Sequence, residues 1–183
     1  MIVLGIDPGT ATTGYGVVSG DGSRPPTLIE CGVIRTRARD SLPARLREIH
    51  DGVTELIARH QPAAIVVEDV FYAKNVRTTV VLGHARGVVL LAGAQARIEV
   101  YEYPPAEIKK AVVGKGGATK QQVQFMLTRL LRLKSVPSPS DAADGVAAAL
   151  TYLMTSRIPK VAVVRPLAAS PFSAKPVVTG TRR

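Results

Sequence analysis

The sequence predicts an α/β fold: a mixed five-stranded sheet flanked by helices on both faces. Three observations lead there. Residues 1–36 hold three strand-like runs separated by turns. After them, stretches of helical periodicity alternate with short apolar runs. One of those runs, residues 63–67, is apolar without interruption, as in a strand covered on both sides.

The elements follow in order. Residues 2–6 form an apolar strand closed by the turn Asp7-Pro8-Gly9, and residues 14–19 and 28–36 complete an antiparallel meander. Leu42, Leu46, Ile49, Val53, Leu56 and Ile57 recur at helical spacing, so residues 42–59 are a helix stopped by Pro62. Residues 63–67 are the fourth strand and 98–101 the fifth. Between them, residues 76–96 read as a helix that turns apolar nearly all round at Val88-Val89-Leu90-Leu91-Ala92, predicting burial on more than one side. That burial is either deeper packing within one chain or a subunit interface.

A short helix over 106–112 leads into the glycine-rich loop Gly114-Lys115-Gly116-Gly117. Thr119 and Gln122 have the spacing of a capping box that opens a helix to about residue 134. Ser138-Pro139-Ser140-Asp141 repeats the signal, with Pro in the first helical position, for a last helix reaching about residue 156.

The 183 residues suit one domain, 1–156, followed by a basic, proline-containing tail, 157–183, expected to be flexible. Hydrophobic residues make up 46% and aromatics only 4%, so the core must be built of Val, Leu, Ile and Ala. No charged leader precedes the first strand and no run of about 18 apolar residues occurs, which predicts neither secretion nor membrane association. The single cysteine, Cys31, has no partner for an internal disulfide and fits the cytoplasm. The net charge is +10, and residues 157–183 supply +6 of it through Arg157, Lys160, Arg165, Lys175, Arg182 and Arg183. A basic surface suits a polyanion such as nucleic acid.

Four acids stand where this topology would gather them. Asp7 ends the first strand and Glu68 the fourth, while Asp141 and Asp144, three apart, share one face of the last helix. Each has a plainer explanation: a turn residue, an ion pair, a helix cap, a solvated face. Together they are harder to dismiss, because two carboxylates ~4 Å apart repel by roughly 4 kcal/mol at an effective dielectric of about 20. A cluster of hard oxygen donors without Cys or His favours Mg²⁺ or Mn²⁺ over zinc, and a pair of such ions suits phosphodiester hydrolysis.

Basic groups crowd the neighbouring segment. From 105 to 134 only Glu107 is acidic, against Lys109, Lys110, Lys115, Lys120, Arg129, Arg132 and Lys134. Lys115 and Lys120 flank the glycine-rich loop at a helix N-terminus, where amides and the helix dipole favour phosphate. Phe71, just past Glu68, is either a core residue or a surface on which an unpaired base could stack. His50, His60 and His84 have no metal-ligand spacing and read as structural.

The series GIDPGTATTGYGVV, IVVEDVFYAKN, LGHARG, VVGKGGATKQQV and DAADGVAAAL resembles, in order and spacing from about Ile2 to Tyr152, the RuvC family of crossover junction endodeoxyribonucleases. The resemblance implies an RNase H-like fold, two Mg²⁺ ions per subunit with Mn²⁺ able to substitute, and a homodimer that nicks opposed strands of four-way junction DNA. It implies work beside a branch-migration motor complex. It places the metal-binding, catalytic acids at Asp7, Glu68, Asp141 and Asp144, the family residue matching Asp141 not always being Asp. It also implies DNA contact by Phe71, Lys109 and Lys120, with Lys110 the neighbour of Lys109 in an adjacent register. An actin-like or sugar-kinase ATPase also opens with Asp-x-Gly-Thr but needs a second nucleotide-binding lobe, for which this chain is too short. The YqgF-type relatives share the opening strand and turn but fit the rest of the series less well. A non-catalytic junction-binding module would need the basic surface but not the acids.

Overall fold

Alternation along the strands decides which side chains meet. The computed structural model describes residues 1–69, 76–155 (Arg77 by its backbone alone) and 162–164. Its strands are β1 (Ile2–Asp7), β2 (Thr12–Ser19), β3 (Thr27–Arg35), β4 (Ala64–Glu68) and β5 (Glu99–Tyr103), in spatial order β3-β2-β1-β4-β5. The β1–β2 and β2–β3 pairs are antiparallel, and β1–β4 and β4–β5 are parallel. The expected mixed five-stranded sheet is therefore the one observed.

Side chains of period two split the core between the two faces. Leu4, Ile6, Val17, Ile65, Val67 and Val100 pack beneath α1 (Leu42–His60) and α2 (Val76–Gln95). Val3, Val18, Val66 and Tyr103 pack beneath α3 (Pro105–Val113), α4 (Lys120–Leu130) and α5 (Ser140–Thr155). Val3, Gly5 and Asp7 thus share the α5 side of β1, and Ala64, Val66 and Glu68 that of β4. Because Ile6 pairs with Val67, the next step sets Asp7 level with Glu68.

The central packing event is the approach of α5 to β1 and β2. A Cβ on Gly14 would fall 1.9 Å from the Asp141 carbonyl oxygen, one on Gly16 2.5 Å from Val146 Cα, and one on Gly5 2.1 Å from the Gly145 oxygen. On the helix, a Cβ on Gly145 would stand 2.6 Å from Tyr15 Cα. Glycine in a strand interior marks a close backbone approach, and here the helix backbone itself lies on the sheet. Ala142, Ala143, Ala147, Ala148 and Ala149, all buried, extend the small-residue contact.

Three expectations differ from the structure, two at helix ends and one in packing. α4 stops at Leu130, short of residue 134: the Leu133 amide donates to the Thr128 carbonyl (2.9 Å) and Arg132 takes a φ of 52°, closing the helix from its C-terminus. At its other end the Thr119–Gln122 capping box forms as expected. α5 opens at Ser140, so Pro139 precedes the helix, its carbonyl accepting from the Ala142 amide, rather than filling the first helical position. Third, α2 is not buried on several sides within the chain. It seats Ala85, Val89 and Ala92 against the sheet and α1, but Val76, Val80 and Leu91 are exposed, because no described element covers its outer face. Among the described residues that face is left uncovered.

Phe71 lies outside the described residues, as does most of the 157–183 tail. Within the latter, Val163 and Val164 pair with Val100 of β5: the Val163 amide donates to the Val100 carbonyl (2.8 Å) and the Val100 amide to the Val164 carbonyl (3.0 Å). Among the described residues no helix is long and apolar enough to cross a membrane.

Gly14→Ala forces overlap between two backbones, which no rotamer change relieves. We expect it to destabilise the protein by at least about 1–3 kcal/mol, the usual range for overpacking, read as a lowered midpoint in urea unfolding. Unchanged stability would mean that α5 does not sit where the geometry puts it.

Candidate active site

Three elements deliver the four acids to one end of the sheet. β1 and β4 run parallel and finish side by side at Asp7 and Glu68. The turn after Asp7 is held shut by the buried Thr13, whose hydroxyl donates to the Gly9 carbonyl at 2.7 Å. α5 brings Asp141 and Asp144 over the same corner from above. One carboxylate oxygen each from Asp7, Asp141 and Asp144 lies within 4.8 Å of the others. Asp7, Glu68 and Asp144 also line a cavity of about 220 Å³ with Lys109 and Lys120, walled by Pro105, Ile108, Val123 and Ala147. The four expected acids thus form two overlapping groups that share Asp7 and Asp144.

The lysines divide. Lys120, at the first position of α4, donates from Nζ to Asp144 Oδ2 at 2.7 Å. Lys109 of α3 borders the cavity; its neighbour Lys110 is exposed and does not. Lys115 is likewise exposed and away from the cavity, since Gly114 ends α3 with a φ of 85° and the loop carries Lys115 outward. The histidines take no part: His50 bonds Gln95 (2.8 Å), His60 bonds Glu30 (2.8 Å), and His84 is exposed.

Sequence reasoning missed two contributions. The apolar wall from α3 and α4 carries no chemical motif. Behind the sheet, Arg86 of α2 grips Glu102 of β5 through Nε and Nη2 (Nη2 to Oε2 2.6 Å) and reaches Asp69 at 3.8 Å, pinning the chain directly after Glu68. The available signal was the Arg of LGHARG, a motif to which no role had been assigned.

Electrostatics at this corner are unfavourable without a cation. Burial, then the charges of Asp144 and Asp141, push the Asp7 carboxyl up to about 7 against the pull of Lys120. Burial, then Asp7 and Asp144, push Glu68 up to about 8 against Lys120 and Lys109. Asp144 is also raised, chiefly by burial, although its bond to Lys120 opposes this. Burial alone would lower Lys120, but its bond to Asp144 and the charges of Asp144, Asp141 and Asp7 outweigh that and raise it. Converging carboxylates without Cys or His make a hard-oxygen donor set, so the residues fit a divalent cation of that preference.

A mixed sheet whose parallel strands end in half-buried acids, roofed by a helix carrying two more and flanked by lysines, defines the class: an RNase H-like enzyme of phosphodiester chemistry. Comparison with known proteins narrows it. The family model "Crossover junction endodeoxyribonuclease RuvC" matches residues 3–152, and the chain belongs to that family. A crossover junction endodeoxyribonuclease RuvC from Desulforamulus reducens is 47% identical over 157 residues, covering 85% of this chain and 95% of that one. The solved structure of Thermus thermophilus RuvC is 37% identical with a TM-score of 0.79, covering 86% of this chain and 96% of that one. A second, of Thermus thermophilus RuvC in complex with Holliday junction substrate, has the same TM-score and coverage at 34% identity.

The raised carboxyls make stability depend on pH. Folded Asp7 and Glu68 hold protons that the unfolded chain releases near pH 4, so stability is fully present below that pH. It is lost as pH rises through about 7 to 8. In chelator, Asp7→Asn should therefore unfold at an increasingly higher temperature than the wild type between pH 5 and 8, by about 2–4 °C per kcal/mol of repulsion relieved. Parallel calorimetric curves for the two proteins would contradict this electrostatic account.

Proposed function

We propose that this chain resolves four-way (Holliday) DNA junctions during recombination and repair by paired, metal-dependent hydrolysis of opposed strands. The observation that carries the reading is the convergence of Asp7, Asp141 and Asp144, with Glu68 and Lys120 on the same cavity. The family supplies the nuclease, and the Thermus thermophilus relative solved with its Holliday junction substrate supports the choice of DNA.

In this reading Asp7, Glu68, Asp141 and Asp144 would hold two Mg²⁺ ions, with Mn²⁺ able to replace them. When bound, such ions neutralise the phosphate and make water a stronger nucleophile. A water oxygen adds to phosphorus and the bond to the 3′ oxygen breaks, leaving 5′-phosphate and 3′-hydroxyl ends. Lys120 holds Asp144 in place until the acids are neutralised, and its ammonium is then available to a phosphate oxygen. Lys109 faces the same cavity and serves the strand being cut; Lys115, on the outer loop, can meet only DNA that extends beyond it. Phe71, three residues after Glu68 in sequence, stacks on a base freed at the junction centre.

Two equivalent cuts call for two related sites, which a twofold homodimer provides. The uncovered face of α2, with Val76, Val80 and Leu91 exposed, is the surface we assign to the second copy. The same reading places the protein in the cytoplasm beside a branch-migration motor complex.

A synthetic four-way junction tests the proposal. Mg²⁺ should give paired nicks in opposed strands, and Ca²⁺ or chelator should give none. Asp7→Asn should abolish cutting while junction binding persists; undiminished cutting by that variant would remove Asp7 from the chemistry. In light scattering, Leu91→Glu should convert dimer to monomer, and a wild type that is already monomeric would refute the assigned interface.

A further inference from the structure

The outer side of α4 carries a second basic feature that the active site does not use. Phe125, Thr128, Arg129, Arg132 and Leu133 line an open groove of about 420 Å³. Phe125 is 57% exposed, an unusual position for one of only three phenylalanines in the chain. The Arg129 guanidinium lies 5.4 Å from the centre of its ring, and Arg132, turned outward by its φ of 52°, forms the far wall. No acid occurs between residues 118 and 140, so nothing along this segment neutralises the two arginines.

The groove and the active-site cavity share one helix, at different turns and on different sides of it. Lys120 and Val123, in the first turn of α4, border the catalytic cavity. Arg129 lies nine residues further on, about 14 Å at 1.5 Å per residue. We propose that this groove is a second DNA-backbone site, in which Arg129 and Arg132 each hold a phosphate of the duplex arm leaving the cut and Phe125 packs against the adjoining sugar. The proposal rests on the reading of the protein as a junction nuclease. Charge selects the occupant: two guanidiniums around an aromatic face, on a segment without acids, suit phosphodiester oxygens and deoxyribose, and the helix that carries them also carries Lys120 of the catalytic cavity. Such contacts position the substrate and carry no sequence information.

The test is the salt dependence of junction binding, measured by anisotropy in Ca²⁺ so that no strand is cut. Each phosphate contact contributes about 0.9 to the slope of log affinity against log salt. Arg129→Ala/Arg132→Ala should therefore reduce the slope by about two and weaken binding by about tenfold or more at 0.1 M salt. Arg129→Lys/Arg132→Lys, which keeps both charges, should retain most of the slope. Phe125→Ala should weaken binding without altering the slope. Arg47→Ala, on exposed α1 beneath the opposite face of the sheet, should change neither. A double alanine variant that melts like the wild type and titrates with the wild-type slope overturns the proposal, whether the groove then serves a protein or nothing. Wild-type protein that binds junctions but never nicks them in Mg²⁺ would defeat the proposed function instead, and the slopes would still decide whether the groove contacts DNA.

Discussion

The backbone of α5 rests directly on the backbones of β1 and β2, and the acid cluster exists only because it does. Asp141 and Asp144 project from the first turns of α5, while Asp7 projects from the end of β1. A helix normally packs on a sheet through a layer of side chains, at roughly the 10 Å spacing of stacked layers. Gly5, Gly14, Gly16 and Gly145 remove that layer at the centre of the contact. Short carboxylates from opposite elements can then meet within the span of one coordination sphere. The alanines further along α5 keep the helix seated to its C-terminus, where Thr155 meets the Tyr103 hydroxyl at 3.1 Å.

This closeness creates the electrostatic tension that defines the site. Acids withdrawn from water and facing one another favour their protonated forms, and Lys120 answers only part of that charge. The surrounding scaffold resists relaxation: Arg86 clamps the strand ends from behind, and the capping box fixes the helix that carries Lys120. The corner is therefore built to hold a charge imbalance, the condition under which a divalent cation binds tightly and negatively charged phosphate can approach a cluster of acids at all.

Much of this was legible in the residues. The order of strands and helices followed from alternation and periodicity, because Val, Ile and Leu sit where each face needs them. The four acids were legible from their places at strand ends and on one helix face. What escaped was of two kinds. Gly14 and Gly16 look like ordinary weak points of a strand until the helix that needs their missing side chains is known. The partners of long charged side chains were also hidden: Arg86 and Glu102 are 16 residues apart and meet only through the packing of α2 on β5, and nothing local separated Lys109, which faces the cavity, from Lys110 and Lys115, which do not. The all-round apolar stretch of α2 left its outer cover open, since periodicity reports what a helix hides but not what hides it.

The pairing of Val163 and Val164 with Val100 bears on where the stable unit ends. The stretch recognisable as RuvC stops at residue 152, but β5 is the last strand on its side of the sheet, and its outer amides and carbonyls face away from β4. Unsheltered strand margins of this kind recruit foreign strands and seed aggregation. The chain supplies its own selvedge, a few residues laid along that margin, so trimming the protein to its recognisable part would unravel a seam that the family signature does not include.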